Sequence, residues 1–152
     1  MPFVEYVNPA CTGDIILERN VYKDRPEVLL IERGSCPFVG KWAFPGGHMN
    51  LGTETVENCV VRELKEETGL VVLEKDLRLF GVYSEPKRDP RGHYVTHVYT
   101  AESFEGQLEA NDDASDAKWF FLDDLPELAF DHEKIINDYI AKNKYIWKGM
   151  KK

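Results

Sequence analysis

The chain has 152 residues, 43% of them hydrophobic and 30% charged. That mix suits one compact domain over 1–152 and excludes a disordered tail, a collagen or a coiled coil. Nineteen Lys and Arg against 27 Asp and Glu give a net charge of −8, a field that repels polyanions, so binding to long nucleic acid is not expected.

Residues 13–18 (GDIILE) and 27–32 (EVLLIE) are predicted as short buried strands, separated by a charged, Pro-containing stretch. Residues 33–53 hold Gly34, Gly40, Gly46, Gly47 and Gly52 with Pro37 and Pro45, which predicts a shaped surface rather than a core element. A helix is predicted over 54–68, with Val56, Cys59, Val60 and Leu64 on its apolar face, Gly69 as its left-handed stop and Leu70 folding back. Two strands are expected within 71–84. A Pro/Gly-rich loop at 85–92 leads into an alternating strand at 93–104, and an acidic loop at 109–117 precedes a strand at 118–121. The last helix is predicted from His132 to Asn143, capped by Asp131, with Ile135, Ile136, Tyr139 and Ile140 facing inward. Strands and helices in this order suit one α/β domain with two helices covering a mixed sheet. There is no run of 18 apolar residues and no basic-then-apolar leader, so no membrane span or secretory signal is expected. Cys11, Cys36 and Cys59 lack any C-x-x-C spacing and suit reduced thiols in a cytoplasm.

The chemistry concentrates in residues 46–70. Glu63, Glu66 and Glu67 are spaced i, i+3, i+4 and project from one helix face, where they repel one another unless a cation sits among them. Carboxylate oxygens are the ligands that Mg²⁺ and Mn²⁺ prefer. Arg62 carries a planar fork able to orient a carboxylate, with Glu54 as a candidate. Acidic triplets on helices are ordinarily solvated faces. Here, however, Glu54, Arg62, Glu63, Glu66, Glu67 and Gly69 all occupy fixed positions of one template.

This segment resembles the Nudix box, G-x5-E-x7-R-E-U-x-E-E-x-G-U, where U is aliphatic. The match is complete from Glu54 to Leu70, whereas six residues instead of five separate Gly47 from Glu54. The extra residue falls within 50–53, so a bulged loop is expected with the helix face unaltered. The insertion bears on the backbone carbonyl of Gly46 or Gly47 as a metal ligand more than on the carboxylates. The resemblance implies an α/β/α sandwich around a mixed β-sheet. It also implies metal binding by Glu63, Glu66, Glu67 and Gly47, with Arg62 and Glu54 holding the carboxylates in place. Segments 37–48, 88–102, 112–126 and 128–136 are similar to a subgroup known as ADP-ribose pyrophosphatases, which implies Mg²⁺-dependent cleavage of ADP-ribose to AMP and ribose 5-phosphate, with Mn²⁺ as a substitute. Two alternatives stay open: a pyrophosphohydrolase for oxidised or non-canonical nucleoside triphosphates, and a non-catalytic nucleotide-sensing module. The expected partner is a small nucleotide, and a homodimer is expected because related members often pair.

Other candidates are weaker. Gly46 and Gly47 could let the backbone approach a phosphate. Lys87, Arg88 and Arg91 could meet a diphosphate or terminal ribose, or form a solvated loop tip. Asp112, Asp113 and Asp116 could supply a base or ligand, though a solvated loop is the better reading. Trp42, Phe44, Trp119, Phe120 and Phe121 are expected in the core rather than on a base. His48, His93, His97 and His132 lack H-E-x-x-H spacing, so zinc is not expected. Serine-hydrolase and P-loop motifs are absent.

Overall fold

The computed structural model describes residues 7–20, 25–108 and 116–143. In β1 (Ala10–Ile16) and β3 (Glu27–Glu32) buried residues run consecutively instead of alternating, as in strands covered on both faces. The parity of the buried residues shows what covers them. Ile15, Leu17 and Leu29 pack with Val60 and Leu64 of α1 (Val56–Thr68). Ile16, Val28 and Leu30 pack with Ile135, Ile136 and Tyr139 of α2 (His132–Asn143). One strand layer therefore lies between two helices, the expected α/β/α arrangement.

The strand layer comprises two sheets. In the first, β5 (Gly46–His48), β1, β7 (Tyr94–Ala101) and β6 (Leu77–Tyr83) lie in that order. β1 and β7 run parallel from Ala10 opposite Tyr94 to Ile16 opposite Thr100, while the outer pairs are antiparallel, so the sheet is mixed. In the second, β3 pairs antiparallel with β2 (Glu18–Arg19), β4 (Trp42–Ala43) and β8 (Ala117–Phe121). Between α1 and β1 the approach is close: a Cβ at Gly13 would fall 2.6 Å from Val60 Cγ2.

Several local expectations change. The glycine-rich stretch contributes β4 and β5, with Ala43 and Phe44 buried, because its glycines permit close strand approach as well as turns. Segment 71–84 holds one strand rather than two. Val71 only bridges to Glu105, and the polar residues Glu74–Asp76 form a single 3₁₀ turn. Helix α1 begins at Val56, with the Thr55 hydroxyl accepting from Asn58 N–H at 3.1 Å and Gly69 at φ 80° closing its end. Helix α2 has its predicted bounds, and the Asp131 carbonyl starts its ladder. The Asp131 carboxylate, however, grips Arg88 through two charge-assisted bonds, which are stronger than a cap. Of the five aromatics, Phe44 is buried, Trp42, Trp119 and Phe120 pack against the core, and Phe121 is exposed. Residues 144–152, which include Lys144, Lys148, Lys151 and Lys152, lie outside the described residues. Among those described, no helix is long and apolar enough to cross a membrane.

Candidate active site

Helix α1 presents its charged face to β5 across a cleft of about 370 Å³. Arg62 organises that face. Its Nε and Nη2 donate to Glu54 Oε2 and Oε1 at 3.0 and 2.8 Å, the bidentate pair expected from the sequence. Nη2 also donates to the His48 carbonyl at 3.1 Å, tying the helix to β5. Nη1 donates to Glu63 at 2.9 Å and to Glu66 at 3.3 Å. The Arg62 bonds, with the Asn50 N–H, hold the Glu54 carboxyl down to about 2. The inserted loop is solvent-exposed over 50–53 and closes on itself. Thr53 and Glu54 N–H donate to the Asn50 carbonyl, and Asn50 N–H donates to Glu54 Oε1. The extra residue therefore sits where expected, and the helix face keeps its register.

The structure brings two of the three box carboxylates together. Glu67 accepts from Gly46 N–H at 3.0 Å and faces Glu63 within hydrogen-bonding range. Burial, reinforced by Glu63, pushes the Glu67 carboxyl far above the ordinary range, against the Gly46 bond. Glu66 stands apart, its side chain 58% exposed and turned to Arg62. Among the described residues, no group of three or more His, Cys, Asp or Glu is gathered as a ready metal cage. The donor set still suits a hard divalent cation. It is all oxygen, and two carboxylates are crowded where like charge is costly without one. Gly47 lies so close that a Cβ there would fall 2.7 Å from Glu63 Cδ, and its carbonyl accepts the Cys59 thiol at 3.4 Å.

The opposite wall is cationic. Arg88 is not on a solvated tip: its side chain is 4% exposed and bonded bidentately to Asp131 at 2.7 and 3.0 Å. Arg91 grips the buried carboxylate of Asp89 at 2.8 Å and lies over the Tyr94 ring. Arg33 adds a third guanidinium to the cleft. Lys87 and Arg91 are both exposed, and only Arg88 of the basic cluster is buried.

Two residues at the cleft floor were not predicted as site residues. Asp14 of β1 is buried, accepts the Thr96 hydroxyl at 2.5 Å, and is pushed up to about 6 by burial, against the Thr96 bond. A Cβ at Gly46 would fall 2.2 Å from Asp14 Oδ1, so only glycine fits there. His132 stacks on Phe44, accepts the Phe44 N–H at Nδ1, and is held neutral by burial, its pKa lowered to about 3. A lone carboxylate inside the apolar run GDIIL was the available signal for Asp14. His132 carried none beyond its place beside Asp131 at a helix start. Asp112 and Asp113 lie outside the described residues. Asp116 joins Glu66, Glu67 and Arg33 around a second hollow of about 360 Å³.

A NUDIX domain model matches residues 15–139. The chain belongs to the Nudix family. It is 50% identical to an ADP-ribose pyrophosphatase of Methanocaldococcus jannaschii over 89% of this chain and 75% of that protein. It is 30% identical to an ADPR-responsive transcriptional repressor of Acinetobacter baylyi over 91% of this chain, but spans just 56% of the repressor. Among solved structures, a MutT/nudix family protein from Enterococcus faecalis superposes with a TM-score of 0.80 at 34% identity, over 95% of this chain and 66% of that one. The NUDIX domain of Shewanella oneidensis NrtR, crystallised with ADP ribose, superposes with a TM-score of 0.72 at 29% identity, over 90% of both chains.

Proposed function

We propose that this Nudix protein is a pyrophosphohydrolase that splits ADP-ribose into AMP and ribose 5-phosphate with Mg²⁺, or Mn²⁺ in its place. The observation that carries this reading is the cleft itself. The crowded Glu63–Glu67 pair, clamped through Arg62 and Glu54, faces a wall of guanidinium groups. One wall suits a cation and the other suits phosphate, the combination that a diphosphate substrate needs in a protein of charge −8. The 50% identity to an ADP-ribose pyrophosphatase supports the choice of substrate.

In this proposal Glu63, Glu67 and the Gly47 carbonyl would hold the divalent cation, joined by Glu66 once its side chain turns from Arg62. Bound there, it supplies charge neutralisation and an activated water. Arg62 and Glu54 position the carboxylates without touching substrate. Gly46 and Gly47 line the cleft that takes the diphosphate, their missing side chains leaving room for the Asp14 and Glu63 carboxylates. Arg91 stabilises its charge from the opposite wall, as does Arg88, whose Nη1 has no hydrogen-bond partner among the described residues. The proton of the attacking water goes to a carboxylate of the cleft. We further propose a cytoplasmic protein that forms a homodimer and binds no long nucleic acid; light scattering tests the dimer. Phosphorus NMR of ADP-ribose incubated with the protein and Mg²⁺ tests the reaction. Equal amounts of AMP and ribose 5-phosphate are expected, and any other cleaved bond overturns it.

A further inference from the structure

Two polar groups at the cleft floor lie close together without bonding. His132 is 3% exposed, and because its Nδ1 accepts the Phe44 N–H at 3.2 Å, the ring proton resides on Nε2. Stacking on Phe44, at 4.7 Å between centroids, fixes the ring plane. Nε2 stands 3.9 Å from Asp14 Oδ2, too far for a hydrogen bond, and has no other acceptor among the described residues. Oδ2 also takes the Thr96 hydroxyl, which anchors the carboxylate from the neighbouring strand β7. Both side chains line the cleft beside Gly46 and Glu67.

On the cleft wall, an imidazole N–H with no protein acceptor beside a carboxylate oxygen is free to receive a ligand atom. An oxygen on the cleft side of the pair, off the line joining Nε2 and Oδ2, can lie about 2.8 Å from both. Phosphate does not suit the gap, since the Asp14 carboxylate repels it, and a cation does not suit the imidazole N–H. What fits is a neutral group that accepts on one side and donates on the other. We infer that Asp14 and His132 form a subsite for one sugar hydroxyl of the nucleotide, which accepts from His132 Nε2–H and donates to Asp14 Oδ2. The inference rests on the reading of the substrate as a sugar nucleotide and adds to it how the sugar is recognised. An adenine edge, with donor and acceptor on separate atoms, is the competing occupant.

The test is a cycle of substrate and protein changes. kcat/KM is measured for ADP-ribose, for analogues lacking one hydroxyl on either ribose, and for the hypoxanthine analogue, using wild type, Asp14→Asn and His132→Gln. One deoxy analogue should lose about 10- to 100-fold with the wild type, the range for a hydrogen bond to a charged group. Which ribose that analogue alters identifies the sugar. Asp14→Asn should lose a similar factor on ADP-ribose and nothing further on that analogue, and His132→Gln gives an independent check should Asp14→Asn fold poorly. Equal turnover of every deoxy analogue by the wild type means the gap holds water, and overturns the inference. Coupling to the hypoxanthine analogue instead assigns the gap to the base and also overturns it. Failure of the substrate reading shows separately, as no turnover of ADP-ribose by the wild type. The same cycle is then run by calorimetry in EDTA on ADP-ribose and each of its deoxy analogues, where absence of coupling between any hydroxyl and Asp14 rejects the hydroxyl site.

Discussion

Replacing Arg88 with Met tests whether the cationic wall is structural as well as functional. The Arg88 side chain is 4% exposed and its partner Asp131 18%, so the pair is held in a largely water-free setting. Met preserves most of the arginine stem while deleting both bonds to Asp131, which leaves a carboxylate without its cation. Breaking a buried pair in this way costs about 3–5 kcal/mol. At about 2–4 °C per kcal/mol for a chain of this size, melting should fall by about 6–20 °C. Adding Asp131→Asn removes the stranded charge and should restore most of the loss, because neutral replacement of a whole buried pair is close to neutral in stability. The exposed pair Lys134–Asp138, with side chains 66% and 44% exposed, is the control. Lys134→Met should cost about 0.5 kcal/mol or less. Urea denaturation with all four proteins provides the free energies. If Arg88→Met costs no more than Lys134→Met, or if the double variant is no better than the single one, the reasoning is wrong.

Glu66→Gln or Glu67→Gln should lower kcat by about 10²-fold or more, since ligand charge is lost at constant volume. Melting of Glu67→Gln in EDTA should hold or rise, as its repulsion with Glu63 is relieved; calorimetry and steady-state kinetics read both, and full activity would sink the assignment. Asp14 has an ordinary value of 3.8 and sits near 6 in the fold, so the native state binds its proton more tightly than the unfolded chain. Its contribution is therefore present below pH 3.8 and is lost as pH rises to about 6. Wild type should lose about 3 kcal/mol relative to Asp14→Asn across that window, and parallel stability curves in urea would contradict it. Deleting Thr53 should cost less than about 4 °C in melting, because loop length is cheap in entropy and 50–53 are exposed. Unfolding, or loss of Mn²⁺ binding by calorimetry, would show that the inserted loop is structural.

Much of this architecture was readable from local pattern. The bounds of α2 follow from apolar spacing over 135–140, and the end of α1 follows from Gly69. The Arg62–Glu54 clamp was readable because helix geometry and the box template both place it. What local pattern hides is long-range pairing. Arg88 and Asp131 lie 43 residues apart, and only the meeting of a loop with the start of α2 turns an apparent surface arginine into a buried one. Asp14 and His132 are brought together because α2 covers the face of β1 that carries Ile16, two residues on from Asp14, which no spacing in the sequence encodes. The glycines at 46 and 47 signal close backbone approach, but local pattern does not name the groups that come close, which are Asp14 and Glu63 respectively. Glu66 was grouped with Glu63 and Glu67 by periodicity, but the reach of Arg62 draws it outward.

Hydrolysis of ADP-ribose in this cleft, with a divalent cation, is open to a direct test. The direct measurement is kcat/KM for ADP-ribose and for oxidised dGTP, with and without Mg²⁺, on the same preparation. Turnover of ADP-ribose is expected only with the cation present, with a higher kcat/KM than for oxidised dGTP. Preference for oxidised dGTP would contradict the substrate, and tight calorimetric binding of ADP-ribose with no turnover would contradict hydrolysis itself.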